Sequence, residues 1–167
     1  MPNDNTQENS EPLQGYLVDI ETGEQFTFSF NPEAIGDSKS VSYAIIKIAG
    51  RTNPFIQWSS SDERKVSFDL KLYRLTEDNQ EVNKKIKWLE SLQYPEYDTE
   101  GYLIAAPHRV LFIFGERYTG EQKWVVESAK VTFSNLWTKD LNPLFATVSL
   151  SLVEWNEENI NYTDVRG

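Results

Sequence analysis

Two stretches of strict two-residue alternation constrain this chain more than anything else in it. Val66, Phe68, Leu70 and Leu72 alternate with Ser67, Asp69 and Lys71, and Ala146, Val148, Leu150 and Leu152 alternate with Thr147, Ser149 and Ser151. A period of two puts every apolar side chain on one face of an extended strand and every polar one on the other. Both runs therefore predict half-buried β-strands, and a helix would scatter their apolar groups around its circumference. Phe26, Phe28 and Phe30 repeat the pattern, with Gln25, Thr27 and Ser29 opposite. Tyr16, Val18 and Ile20 precede them, separated by the turn-forming tetrad Glu21-Thr22-Gly23-Glu24. That order predicts a hairpin closed off at Asn31-Pro32, because proline has no N–H for a ladder.

The remaining segments fit around these strands. Residues 31–42 are expected to be an ordered loop or a helical turn. Tyr43–Ile48 is expected to be a short strand, and Gly50–Pro54 a turn. Phe55-Ile56-Gln57-Trp58 forms an aromatic segment, and Ser59–Glu63 reads as a polar connection. Thr76–Leu92 is the one substantial helix. Thr76 or Asp78 is its expected cap, and Val82, Ile86 and Leu89 form its apolar stripe, widened by Trp88 and Leu92. Lys85 falls inside that stripe, so its stem is expected to lie flat with the ammonium in water. Pro95 stops the helix. Residues 96–107 are expected to be loop. Arg109–Phe114 is apolar on both faces, as a buried strand is, and Lys123–Trp137 is a long, bulged β region. About seven strands and one helix in 167 residues predict one domain, a barrel or sandwich with a helix packed on it. Residues 1–12 are expected to be a flexible acidic arm, 13–155 the folded body and 156–167 a polar tail.

Composition excludes several functions. The net charge is −10, and six of those charges fall in residues 1–12 and 154–167, which carry −3 each. Without a basic patch such a chain is ill suited to hold nucleic acid or an anionic membrane, since phosphate contacts need Lys and Arg. No apolar run approaches the ~18 residues of a membrane helix. The opening residues have neither a basic n-region nor an apolar h-region, so no signal peptide is expected. There is no cysteine and one histidine, His108, which reads as a capping or surface group because a triad or metal site needs partners. No phosphate-cradling glycine loop, nucleophile elbow or calcium loop occurs. The expectation is no catalytic residue, no cofactor and no metal. Five tryptophans and eight tyrosines leave a second reading open, a soluble β-barrel that binds glycans on exposed aromatics. The tryptophans are spread over different elements, which favours a core or subunit-interface role for them.

A resemblance appears at Phe28-Ser29-Phe30-Asn31-Pro32-Glu33-Ala34-Ile35. With Ser38–Tyr43, Gly50-Arg51, Pro54–Trp58 and Arg64-Lys65-Val66-Ser67-Phe68 it resembles the tube-domain family of contractile injection systems. Ala106-Pro107 before Val110–Gly115, and Asn142–Val148 followed by Leu150, Leu152 and Glu154, are similar to later motifs of that family. The resemblance spans about residues 15–155. It implies a mainly β (α+β) fold: a tail-tube-like β-barrel of two packed antiparallel sheets with one flanking helix, at about 76–92. It also implies a structural part of a contractile phage tail or related injection machine. Such a part forms a sixfold tube or tube-initiator ring at the baseplate, links the spike or hub to the tail tube and lines the conduit. The implied partners are copies of itself in a hexameric ring, the adjacent tail tube, baseplate hub or spike proteins, and a wedge or LysM-bearing baseplate protein. DNA would pass without specific binding, and no membrane is involved. The implied location is the virion, with assembly in the bacterial cytoplasm. Many relatives carry a LysM domain after the tube domain; none is recognisable here, so that anchoring is expected to fall to a separate protein. Leu144-Phe145-Ala146 stands where the family shows an arginine before alanine, so no role for that arginine is carried over.

The segment Tyr43–Ile48 has apolar side chains on both faces, and such a strand needs either the domain's own core or a neighbour's sheet edge. Tube proteins, which the chain resembles, use an extended hairpin or loop in this part of the chain to contact the next subunit. Tyr43, Ile45, Ile48, Phe55 and Trp58 are accordingly the candidate subunit-interface residues.

Overall fold

The two alternating runs pair with each other. In the computed structural model, which describes residues 13–166, they are the centres of strands β4 (Phe55–Tyr73) and β9 (Phe145–Trp155). The antiparallel register sets Val66 opposite Leu152, Phe68 opposite Leu150, Leu70 opposite Val148 and Leu72 opposite Ala146. All eight side chains are buried. The arm expected over residues 1–12 lies outside the described residues.

Seven strands form one antiparallel sheet. In chain order they are β1 (Tyr16–Asp19), β2 (Gln25–Thr27), β3 (Ile35–Ile46), β4, β7 (Arg109–Phe114), β8 (Tyr118–Phe133) and β9. In space the order is β2-β1-β7-β8-β9-β4-β3. A second antiparallel sheet holds β5 (Glu96–Tyr97) and β6 (Leu103–Ala105). The fold is mainly β, as expected.

The large sheet is strongly curled. Phe68 on β4 and Phe112 on β7 have two strands between them, yet their rings stack 4.9 Å apart. Phe28, just after β2, reaches Phe68 at 5.7 Å. Register shifts between Leu111 and Ile113, and between Val126 and Ser128, supply the local bends that bulges give a strand. The concave side holds the core, with Leu17, Trp124 and Val110 among its fully buried members. One helix, α1 (Glu81–Ser91), packs on it through Val82, Ile86 and Leu89, and Trp88 stacks on Phe26 at 5.2 Å.

The helix begins later than its apolar period predicts. Thr76 Oγ1 accepts from the Asp78 N–H and Asp78 Oδ1 from the Gln80 N–H, so both expected caps close turns upstream instead. Glu81 then accepts bonds at Oε2 from the Leu75 and Thr76 N–H groups and the Thr76 hydroxyl. Lys85 donates to Glu81 and Ser29, so its ammonium is paired rather than left to water alone.

Three further expectations change. Residues 31–42 are not loop: β3 starts at Ile35. Ser59–Glu63 is not a connection but the middle of β4. Residues 96–107 contain the β5–β6 hairpin, with Asp98 Oδ1 accepting the Glu100 and Tyr102 N–H groups in its turn. All three lack an apolar/polar alternation for one reason. Apart from Ile35, which packs against the core, they are exposed on both faces, so backbone pairing makes them strands. The polar tail carries a single helical turn, α2 (Tyr162–Arg166).

Candidate subunit-interface site

Strand β4 outruns its neighbour. Lys65 to Tyr73 pair with β9, while Phe55 to Arg64 continue beyond it and pair with β3 alone. The result is a free two-stranded ribbon about 30 Å long, at ~3.3 Å per residue. Arg51 N–H donates to the Ile48 carbonyl at 3.2 Å, and Gly50 takes φ 83°, which closes the tip. Every residue from Ser38 to Glu63 is exposed.

All five candidate interface residues stand on this ribbon. Tyr43, Ile45, Ile48, Phe55 and Trp58 are 49–62 % exposed. The register pairs Tyr43 with Trp58 and Ile45 with Ile56, which places these four on one face; Ile46 and Phe55 pair on the other. The structure thus brings Tyr43, Ile45 and Trp58 together, separates Phe55 from them across the ribbon, and leaves Ile48 beyond the strand end. Ile46 and Ile56 were not picked out from the sequence, although both are large, apolar and exposed. Their signal was the pairing itself, which no single strand reveals. Among the described residues strand β3 is also the sheet's outer strand, so its far edge offers backbone donors and acceptors that no described strand pairs.

The root of the ribbon is fixed by one arginine. Arg64 donates from Nε to Asp37 Oδ1 at 2.9 Å and from Nη2 to Asp37 Oδ2 at 2.6 Å, a two-point grip across β4 and β3. Its Nη1 donates to Gln122 Oε1 at 3.2 Å and lies 3.8 Å from the buried carboxylate of Glu154. The guanidinium sits over the Trp124 ring at 5.5 Å. The Tyr118 hydroxyl donates to Asp37 at 2.9 Å from the opposite side. Strands β3, β4, β8 and β9 therefore meet at one cation. The Arg64 hydrogen bonds hold the Asp37 carboxyl down at about 2. Such a root makes the ribbon a directed projection.

His108 is not a solitary surface group. Its Nδ1 lies 2.7 Å from Asp19 Oδ2 and its Nε2 3.2 Å from Glu96 Oε1, so it bridges the end of β1 to the β5–β6 hairpin. Asp19 is buried, and its other oxygen accepts the Glu21 N–H of the β1–β2 turn. The hydrogen bond to Asp19 raises the His108 pKa above its ordinary value. A raised histidine contributes stability that is complete below its unfolded pKa of about 6.5 and lost as pH climbs through the folded value. Thermal melts from pH 6 to 8.5 are expected to show a falling Tm that His108→Gln flattens. An unchanged slope in the variant would rule the bridge out as its source.

Among the described residues no three His, Asp or Glu side chains gather as a metal site. The tryptophans do not gather either. Trp124 is in the core, Trp88 lies on Phe26, Trp137 lies against Phe133 at 5.5 Å, and Trp58 is on the ribbon.

A curled antiparallel sheet thus extends a two-stranded ribbon with large exposed apolar side chains into solvent. The sequence matches the family described as "Contractile injection system tube protein" over residues 15–162. The chain belongs to that family, whose members are structural, tube- and baseplate-related parts of contractile injection systems. No curated protein matches it. Among solved structures it is similar to the SPP1 Dit (gp 19.1) protein, described as a paradigm of the hub adsorption apparatus in phages infecting Gram-positive bacteria. The TM-score is 0.51 at 14% identity, covering 85% of this chain and 50% of that one. The chain therefore spans half the length of that relative. It also matches a chain of the anti-feeding prophage baseplate, with a TM-score of 0.45, 9% identity and coverage of 86% and 88%. At 14% identity the likeness to the Dit protein is one of fold.

Proposed function

We propose that this chain is a ring-forming structural subunit, without enzymatic activity, in the tube-initiating part of a contractile tail or injection machine. Six copies close a ring at the baseplate, seated between the hub or spike and the tail tube. The single domain of residues 13–155 forms the wall of the conduit. The observation that carries this reading is the ribbon. It presents large apolar side chains on both faces and an open strand edge, and in a lone molecule that surface invites uncontrolled pairing. A neighbour in a closed ring turns the liability into a specific contact. Tyr43, Ile45, Ile48, Phe55 and Trp58 bury themselves there. The net charge of −10 disfavours a tight hold on phosphates, so DNA passes without being held. The particle is the virion.

The test is native mass spectrometry across a concentration series, alone and with purified tail particles. The expected species is six times the 19.3 kDa chain. A chain that stays monomeric throughout and does not join tail particles would sink the reading.

A further inference from the structure

The molecule has a second apolar projection, on a different element from the first. Among the described residues the β5–β6 hairpin pairs only with itself. It shows Tyr97, Tyr102, Leu103 and Ile104 to solvent, each 60–69 % exposed, and Tyr94 stands exposed at its entrance. No apolar side chain of this group is needed to hold the turn, where the Gly101 N–H donates to the Asp98 carbonyl and the Glu100 and Tyr102 N–H groups donate to Asp98 Oδ1. Aromatic and aliphatic groups concentrated on a small surface projection mark a contact site.

Charge indicates what covers it. The outer part of the ribbon, residues 38–61, contains Lys39, Lys47 and Arg51 and no acid, while Asp62 and Glu63 lie at its root. Residues 94–107, the hairpin, contain Glu96, Asp98 and Glu100 and no base. In a chain of net −10, a basic outer ribbon and an acidic hairpin are complementary surfaces of the same molecule. Ribbon against ribbon brings like charges together, and so does hairpin against hairpin; both are disfavoured. Ribbon against hairpin matches sign with sign and apolar face with apolar face.

We infer that the β5–β6 hairpin is the seat that receives the β3–β4 ribbon of the next copy of this chain. The contact is head-to-tail, between two different patches, and head-to-tail contacts generate rings where the rotation closes. The hairpin is fixed to the body through the Glu96–His108–Asp19 bridge, so the seat, like the ribbon, is held in place by polar contacts at its base. This inference rests on the ring reading above and specifies its joint.

Reciprocal charge reversal tests it. One variant carries Lys47→Glu with Arg51→Glu on the ribbon; a second carries Thr99→Lys with Glu100→Lys on the hairpin, which leaves Glu96 in its bridge to His108. Each alone is expected to raise the concentration needed for half-assembly by about tenfold, the sum of several exposed ion pairs turned repulsive. Mixing the two is expected to restore assembly, since each variant's ribbon then matches the other's seat. So is combining all four changes in one chain. In the wild-type ring, a zero-length carbodiimide cross-linker should join Lys47 to a hairpin carboxylate of a neighbouring copy. Variants that assemble like the wild type overturn the inference and leave the ring standing. Mixtures or quadruple variants that assemble no better than the single sets also overturn it. A wild-type chain that never assembles overturns the ring reading and the joint together.

Discussion

A chain carrying Ile45→Glu and Trp58→Glu is expected to fold and stay soluble, and to lose ring and tail assembly. The two side chains are diagonal neighbours on one face of the ribbon, and both project into solvent. Removing them from an isolated subunit forfeits cross-strand contacts with Tyr43 and Ile56 worth about 0.2–1 kcal/mol each, and surface changes otherwise stay within about 0.5 kcal/mol. Assembly responds differently. Two carboxylates forced into an apolar contact lose their hydration without gaining a partner, at about 2 kcal/mol or more apiece. Together that weakens association by about a thousandfold, at 1.4 kcal/mol per factor of ten. Circular dichroism and melting read the fold, and native mass reads the ring. A double variant that fails to fold would place these residues in the domain's own core. One that assembles normally would remove the ribbon from the interface.

The body of the fold was legible in the sequence wherever one face of a strand meets the core. Val66 to Leu72 and Ala146 to Leu152 alternate because the core pulls every second side chain inward. The helix stripe Val82, Ile86 and Leu89 was legible for the same reason. Legibility failed where no core exists to impose a period. Ser38-Lys39-Ser40-Val41-Ser42 and Ser59-Ser60-Ser61-Asp62-Glu63 are strands whose two faces are both wet, so their composition is that of loops. Their extended conformation comes from pairing with each other, which is a property of two segments and is written in neither. The β5–β6 hairpin escaped notice on the same grounds.

The candidate site was half legible. Apolar residues on both faces of Tyr43–Ile48 announced a strand in need of cover. They did not announce that the strand stands clear of its own body. The fixing of its root was invisible for another reason. Asp37, Arg64, Tyr118, Gln122 and Glu154 are scattered over more than a hundred positions, and only the curl of the sheet brings them to one point.

That convergence makes Arg64→Met the substitution expected to weaken the subunit itself most directly. Methionine keeps much of the packing over Trp124 and removes the charge. Asp37 then loses both hydrogen bonds from the guanidinium, and Glu154, whose side chain is 3% exposed, loses the one cation paired with it among the described residues. Breaking a fully buried pair by removing one partner costs about 3–5 kcal/mol. Here the Asp37 end is one-fifth open to water, so about 2–3 kcal/mol is expected in chemical denaturation. The pH dependence identifies the cause. Asp37 is held at about 2, below the ~3.9 of a free aspartate, so its contribution is complete above pH 4 and lost as pH falls from 4 toward 2. The gap between wild type and Arg64→Met should therefore narrow over that window. Adding Asp37→Asn to the variant should cost little more, because its partner is already gone. A gap that stays constant down to pH 2, or two substitutions whose effects simply add, would mean that Arg64 stabilises the root by packing alone. The ribbon would then be steered by Trp124 and Tyr118 rather than by the Arg64–Asp37 pair that ties β3 to β4.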